Sequence, residues 1–406
     1  MTGLEPILVC GVGVVTAAGI GTHALLDLLR GVNVPKTYEL PQLKPLDVAL
    51  SVENDSSMTK SARRLVHRSP PSAIATVLAV TEAWNDAVPV GSESDPAVTF
   101  IIVAGTQLQR TVQHEATLAY HRSPLEVSPT YGLRFLDSHY LGLVSELLPR
   151  ADDGIVLGAA SASGTVAVAH AMRLLRAKLC DTCVVVAPPC ILTDVERVAL
   201  RSMGALSLGV EPQSVPFDER CSGFVYGEGA GCLILRRDSS TVASGTPPVS
   251  LVGCATSLHG TASPRPSAVA EAGVMRSALA DAKLLPSDIA LVNAHGTASP
   301  EGDEVELEAL HEVFGEDVAS VPIASTKALL GHTLTAAGVV ELAACVLQLR
   351  HSFVHGHPGI EQSIRPGWRI NGREPRPLSP GPVLKNGFGF GGINSTIIMT
   401  PASGEK

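Results

Sequence analysis

Four side chains in this sequence have the type and setting for acyl chemistry: Ser161, His295, Lys327 and His332. Ser161 lies in the stretch Gly158-Ala159-Ala160-Ser161-Ala162-Ser163-Gly164-Thr165, between an apolar run at 154–157 and a longer, mostly apolar run at 166–175. The pattern reads as a strand, a tight turn and a buried helix with a hydroxyl at its start. A helix N-terminus presents unpartnered N–H groups and the positive end of the helix dipole, so a side chain there is set to be a nucleophile or to bind an anion. The alternative is that Ser161 or Ser163 only caps the helix. His295 closes an apolar run in His295-Gly296-Thr297, and His332 follows Ser325-Thr326-Lys327 just before a nearly all-apolar stretch at 335–349. A lone histidine in an apolar region is usually a satisfied core residue. Two of them, each at an element end beside glycine or threonine, point to a shared site with Ser161. A nucleophile plus two imidazoles is what covalent acyl transfer needs: one ring takes or returns a proton, and both donate to an oxyanion. Lys327 would orient a histidine or act as a fixed positive charge; the structural alternative is a salt bridge to Glu306 or Glu341.

The elements that must position these residues repeat. Residues 7–15 form a continuous apolar run, followed by an amphipathic helix within 19–31, a helical pattern at 74–87 and a strand at 98–106 ending in Gly-Thr. The second half gives a strand at 249–255, a helix at 268–282, a strand at 289–297 again ending in Gly-Thr, and the apolar helix at 335–349, the counterpart of the one after Ser161. Further strands are expected at 183–187, 232–235 and 395–400, and a glycine-rich segment at 386–392. This order, found twice, implies internal duplication. Helices apolar on nearly all sides need a sheet on each face, which a five-layered α-β-α-β-α sandwich supplies. The expected halves are 1–240, carrying the nucleophile turn, and 248–406, carrying both histidines, joined by the polar segment 239–248. Gly11-x-Gly13 resembles the start of a dinucleotide-binding fingerprint, but the third glycine and the ribose-binding acid are not in place.

Composition sets the outer bounds. The chain has 406 residues, 45% hydrophobic, 17% charged and 4% aromatic, which is the balance of a tightly packed α/β protein. The net charge of −9 argues against non-specific nucleic-acid binding. The densest positive cluster is Lys60, Arg63, Arg64, His67 and Arg68, either a solvated helix face or a dock for an acidic partner. The eight cysteines lack regular spacing, and the lone Cys180-x-x-Cys183 has no second pair at zinc spacing, so the expectation is reduced thiols, no metal and a cytoplasmic chain. No signal-like segment and no charge-free run of about 18 apolar residues is expected, hence no membrane span. Residues 107–150 read as longer excursions that shape a substrate tunnel or a dimer contact.

At this point the motifs join. His295-Gly296-Thr297 with Gly302-Asp303, Ser325-Thr326-Lys327 through Gly331-His332 to Ala336-Ala337-Gly338, Asn386-Gly387-Phe388-Gly389-Phe390-Gly391-Gly392-x-Asn394, Gly223-Phe224-Val225 and Gly227-Glu228-Gly229-Ala230-Gly231 together closely resemble the β-ketoacyl-acyl carrier protein synthases of the elongating type. The resemblance runs over the whole chain in order. It implies a thiolase fold, usually dimeric, acting on acyl chains carried by phosphopantetheine on a partner acyl carrier protein, with no cofactor bound to the chain itself. By the motif match, His295 and His332 would be the malonyl-activating pair and Lys327 their support. The backbone N–H groups of residue 161 and Phe390 would form the oxyanion hole, and Phe390 would gate the pocket. Lys60, Arg63, Arg64 and Arg68 would dock the acidic carrier protein.

Two departures stand out: Cys221-Ser222, where that family usually carries Arg-Asp, and Ser161, where it has the nucleophilic cysteine. A serine hydroxyl does not ionise at a helix N-terminus as a thiol does, so it needs a general base, and an acyl-serine ester is less electrophilic toward carbon than a thioester. The leading expectation is therefore a ketosynthase-like acyltransferase with a Ser-His-His site, doing acyl transfer or slow condensation in polyketide- or fatty-acid-type biosynthesis as a homodimer or heterodimer. The alternatives are a weakly catalytic partner subunit like a chain-length factor, a malonyl decarboxylase, and a cysteine replaced by engineering.

Overall fold

The computed structural model describes residues 5–43, 57–67, 69–88, 98–207, 213–237 and 248–402; the linker expected at 239–248 lies almost wholly outside them. In the first half the main strands are β1 (Ile7–Thr16), β2 (Thr99–Ala104), β3 (Asp153–Leu157), β4 (Thr182–Ala187) and β5 (Gly229–Arg236). In the second they are β6 (Val249–Leu258), β7 (Leu291–Asn293), β8 (Ile323–Ala324), β9 (Val383–Gly389) and β10 (Ile393–Pro401). The spatial order is β3-β2-β4-β5-β1 in one half and β8-β7-β9-β10-β6 in the other, the same path walked twice. The halves join where Ile7-Leu8-Val9 of β1 pair antiparallel with Leu251, Ser250 and Val249 of β6.

The principal helices are α1 (Thr22–Leu29), α2 (Ser57–Val66), α3 (Pro71–Ala87), α4 (Arg110–Arg122), α5 (His139–Leu147), α6 (Ser163–Arg176), α7 (Asp194–Ser202), α8 (Ala268–Ala282), α9 (Pro300–Phe314) and α10 (Ala337–His351). Helices α6 and α10 pack against each other between the two half-sheets, α3 covers the outside of the first, and α8 with α9 the outside of the second. This is a thiolase-type five-layer arrangement. The stretch Leu334–His351 has the length and hydropathy of a membrane span, yet 83% of it is buried inside the protein, which makes it the central core helix.

Glycine spacing explains the duplication at atomic scale. A Cβ on Gly11 would sit 2.0 Å from the Ala83 carbonyl oxygen and 2.8 Å from the Ala87 Cβ of α3; one on Gly253 would meet the Ala278 oxygen at 2.5 Å and the Ala282 Cβ at 2.7 Å in α8. Asp86 accepts from the Val12 N–H (3.1 Å) as Asp281 does from the Cys254 N–H (2.8 Å). The Gly11-x-Gly13 pair is thus a strand surface cleared for a helix, not a phosphate-binding turn. Where α6 and α10 cross, a Cβ on Gly338 would lie 2.3 Å from the Thr165 nitrogen, so only glycine permits the contact.

One expected strand is shorter than its pattern. The run 289–297 is paired only over Leu291–Asn293. Beyond it, the N–H groups of His295 and Gly296 donate to Glu306 (2.8 and 2.7 Å), and those of Thr297 and Ala298 to Asp303 (2.9 and 3.1 Å). Carboxylates of α9 replace a neighbouring strand and pull the chain out of the sheet. The glycine-rich run 386–392, by contrast, is mostly strand β9.

Candidate active site

The turn before α6 separates the two serines. Ala160 sits at φ 47°, an unusual left-handed value for a residue with a Cβ. Ser163 is fully buried; its Oγ accepts from the Ala159 N–H (2.8 Å) and donates to the Ala160 carbonyl (2.6 Å), so Ser163 ties the turn together. Ser161 faces a cavity of about 630 Å³ lined also by His295, His332, Phe388 and Phe390. The tight packing of Gly389, whose Cβ would lie 2.8 Å from the Ala159 oxygen, seats the Phe390 loop on the Ser161 turn.

His332 is fixed by its backbone. Its N–H donates to Val225 (2.7 Å) and its carbonyl accepts from Gly227 (3.0 Å). Its Nε2 lies 3.0 Å from Ser161 Oγ, while its Nδ1 accepts the Leu334 N–H (3.2 Å). With Nδ1 accepting, the neutral ring carries its proton on Nε2 and donates it toward Ser161. His295 stands edge-on to His332, ring centroids 5.6 Å apart. The Lys327 ammonium is 3.4 Å from His295 Nδ1 and 2.6 Å from its carbonyl oxygen, which again leaves the ring proton on Nε2. Burial, then the charge of Lys327, holds both imidazoles well below the usual histidine pKa, so both are neutral at pH 7.

Behind the rings lies an ion triad. Glu341 in α10 takes the Lys327 ammonium at 2.6 Å and the Lys385 ammonium of β9 at 2.7 Å, all three nearly inaccessible to solvent. Burial lowers the Lys327 pKa and Glu341 works against it. Glu306 is instead taken up by the His295 and Gly296 backbone and by Asn386 Nδ2 (3.0 Å). Sequence reading did not single out Lys385 or Glu271; the available signal was a charged residue inside an otherwise apolar strand or helix.

The structure therefore brings Ser161, His295, His332 and Lys327 into one cluster, with Phe390 on the cavity wall and 44% exposed. The basic cluster is elsewhere, on α2, whose Met58, Ala62 and Val66 are buried while Lys60 and Arg64 are exposed and Arg63 half-buried. Arg64 pairs with Glu146 (2.5 Å). Arg68 lies outside the described residues. Cys180 and Cys183 are buried with sulfurs 3.3 Å apart.

The twice-walked sheet, closed around two central helices, is the thiolase-type fold of the ketosynthases, and in this chain it brings a serine turn and two histidines together. Residues 4–241 match the N-terminal domain of beta-ketoacyl synthase and residues 249–361 its C-terminal domain, so the chain belongs to the beta-ketoacyl synthase family. It is 30% identical to the polyketide biosynthesis malonyl-ACP decarboxylase PksF of Bacillus subtilis (strain 168), over 98% of this chain and 96% of that protein. It is 27% identical to 3-oxoacyl-[acyl-carrier-protein] synthase 2 of Staphylococcus aureus (strain COL), over 97% of each. Among solved structures, the ishigamide ketosynthase/chain length factor superposes with a TM-score of 0.81 at 21% identity, covering 99% of this chain and 100% of that one.

Proposed function

We propose that this chain decarboxylates a malonyl unit carried as a phosphopantetheine thioester on an acyl carrier protein. The observation that carries the reading is the pair of neutral imidazoles, each with Nδ1 occupied and its proton on Nε2. Such a pair donates two hydrogen bonds to one thioester carbonyl. Loss of carbon dioxide from a malonyl thioester places negative charge on that oxygen, and preformed donors in a water-poor cavity stabilise the charge as it develops. Lys327 sets the His295 tautomer and Glu341 keeps Lys327 charged. Ser161 only accepts from His332 in this arrangement, so no base stands ready to activate its hydroxyl. The 30% identity to a malonyl-ACP decarboxylase supports the same reading.

The carrier's arm would enter along Thr297, Ser299 and Phe390 at the cavity, and the acidic carrier protein would dock on Lys60, Arg63 and Arg64 of α2 together with Arg68. The partner set is the carrier protein and a second ketosynthase-type chain, identical or not; no resident cofactor, metal, nucleic acid or membrane is invoked, and the setting is the cytoplasm.

The test is incubation with malonyl-carrier protein, followed by intact-mass measurement of the carrier and of the chain. The expected product is acetyl-carrier with carbon dioxide released. His332→Gln should slow release at least 100-fold, and Ser161→Ala by no more than about tenfold, the worth of one hydrogen bond. A second reading is acyl transfer through Ser161, favoured by its 3.0 Å contact with His332. A covalent acyl adduct that disappears in Ser161→Ala, without carbon dioxide release, would establish that reading and end the first.

A further inference from the structure

Three glutamates line the cavity and the chemistry above uses none of them; one, Glu271, is almost fully buried. Glu271 lies in the first turns of α8, whose N-terminus is capped by Ser267 Oγ accepting the Ala270 N–H (3.4 Å). It is 2% exposed, lines the same cavity as Ser161, His295 and His332, and its buried Oε2 has no hydrogen-bond partner. An unpartnered buried carboxyl oxygen costs about 1–3 kcal/mol, so an acid kept that way on a substrate cavity has a partner in the substrate.

Burial, and then the charge of Glu306, push the Glu271 pKa well above the ordinary carboxyl range. A carboxyl held that way keeps its proton to higher pH than an ordinary one, and so can donate it. The other two glutamates on the cavity wall differ. Glu196 is hydrogen-bonded to the Thr193 N–H (2.9 Å) and its pKa is lowered overall, because that bonding outweighs its partial burial; Glu301 is exposed.

Decarboxylation leaves a carbanion that must be quenched. Neither neutral imidazole nor a serine hydroxyl is an acid of useful strength. We propose that Glu271 is the catalytic acid that protonates the carbon from which carbon dioxide has left. This rests on the decarboxylase reading and deepens it. The bond between C2 and the carboxyl carbon breaks, and its electron pair enters the enolate held by His295 and His332. The C2 carbon then takes the proton of the Glu271 O–H, giving the acetyl thioester and a Glu271 carboxylate. Water at the cavity mouth returns the proton. A condensing enzyme must shield this carbanion from protons; an acid in the wall commits it to acetyl product instead.

The experiment is steady-state kinetics on malonyl-carrier protein, reading carbon dioxide and acetyl-carrier together. Glu271→Gln keeps shape and removes the acid: kcat should fall by about 100-fold or more while KM stays within about threefold. Glu271→Ala, which opens room for a small acid, should fall similarly and be restored several-fold by added formate. Unfolding midpoints of both variants should match wild type or exceed it. If Glu271→Gln does not fold, the Glu271→Ala rescue decides. A kcat within threefold of wild type, a loss confined to KM, or no response to formate overturns the proposal. Failure of the wild-type protein itself to release carbon dioxide overturns the decarboxylase reading, whatever the variants do.

Discussion

Replacing Glu341 with glutamine tests whether the ion triad, rather than the rings themselves, sets the site. The substitution leaves two ammonium groups, Lys327 at 1% and Lys385 at 0% side-chain exposure, without their carboxylate. At N–O distances of 2.6 and 2.7 Å each contact is worth several kcal/mol in gross Coulomb energy at an effective dielectric of about 20. The net cost of breaking such a buried arrangement from one side is about 3–5 kcal/mol, because the remaining charge stays desolvated. For a chain of 406 residues each kcal/mol moves the midpoint by about 1.2 °C, so Glu341→Gln should melt about 3.5–6 °C lower. The main pull against the burial that lowers the Lys327 pKa would then be gone, which weakens the hold of that ammonium on the His295 tautomer. Carbon dioxide release should fall in step with that loss. Adding Lys385→Met should recover part of the stability, so that the double variant loses less than the sum of the singles. The assay is urea and thermal unfolding of the singles and the double. A Glu341→Gln protein within about 1 kcal/mol of wild type, or strictly additive singles, would refute the reasoning.

Two further expectations concern packing and acid. Gly338→Ala places a Cβ 2.3 Å from the Thr165 nitrogen at the α6–α10 crossing, which should cost about 1–3 kcal/mol or more and move Ser161 relative to His332; unchanged stability and kcat together would contradict the close-packed crossing. His355 is fully buried with its pKa lowered to about 4, chiefly by burial. Between pH 6.5 and about 4 the unfolded chain binds this proton and the folded one does not, so stability is lost as pH falls through that window, by about 3 kcal/mol in total. His355→Gln should therefore flatten the stability–pH curve there by about 1.4 kcal/mol per pH unit; equal slopes in equilibrium urea titrations would rule this out.

Much of the architecture was legible from residue pattern alone. Nearly all-apolar runs such as 7–15 and 335–349 can only be buried on both sides, and their recurrence in order implied two halves around a shared core. The helix Ala268–Ala282 falls where its pattern ended it. Misread details have one cause: local pattern does not reveal which distant group will take a backbone hydrogen bond. The run 289–297 reads as strand until Asp303 and Glu306 reach its N–H groups.

The sequence by itself determined the residue types available for chemistry, namely a serine turn, two histidines and a lysine with two glutamates named as its partners. Only the tertiary structure decided what those residues can do. It assigned the cap to Ser163 and the cavity to Ser161, chose Glu341 over Glu306 for Lys327, and brought in Lys385 from a strand 58 positions away from Lys327. It also set both imidazole tautomers, through the Leu334 N–H and the Lys327 ammonium. Proton position depends on which neighbour donates to which ring nitrogen. Those neighbours are Leu334, two positions along the chain from His332, and Lys327, which the fold of the second half carries across to His295.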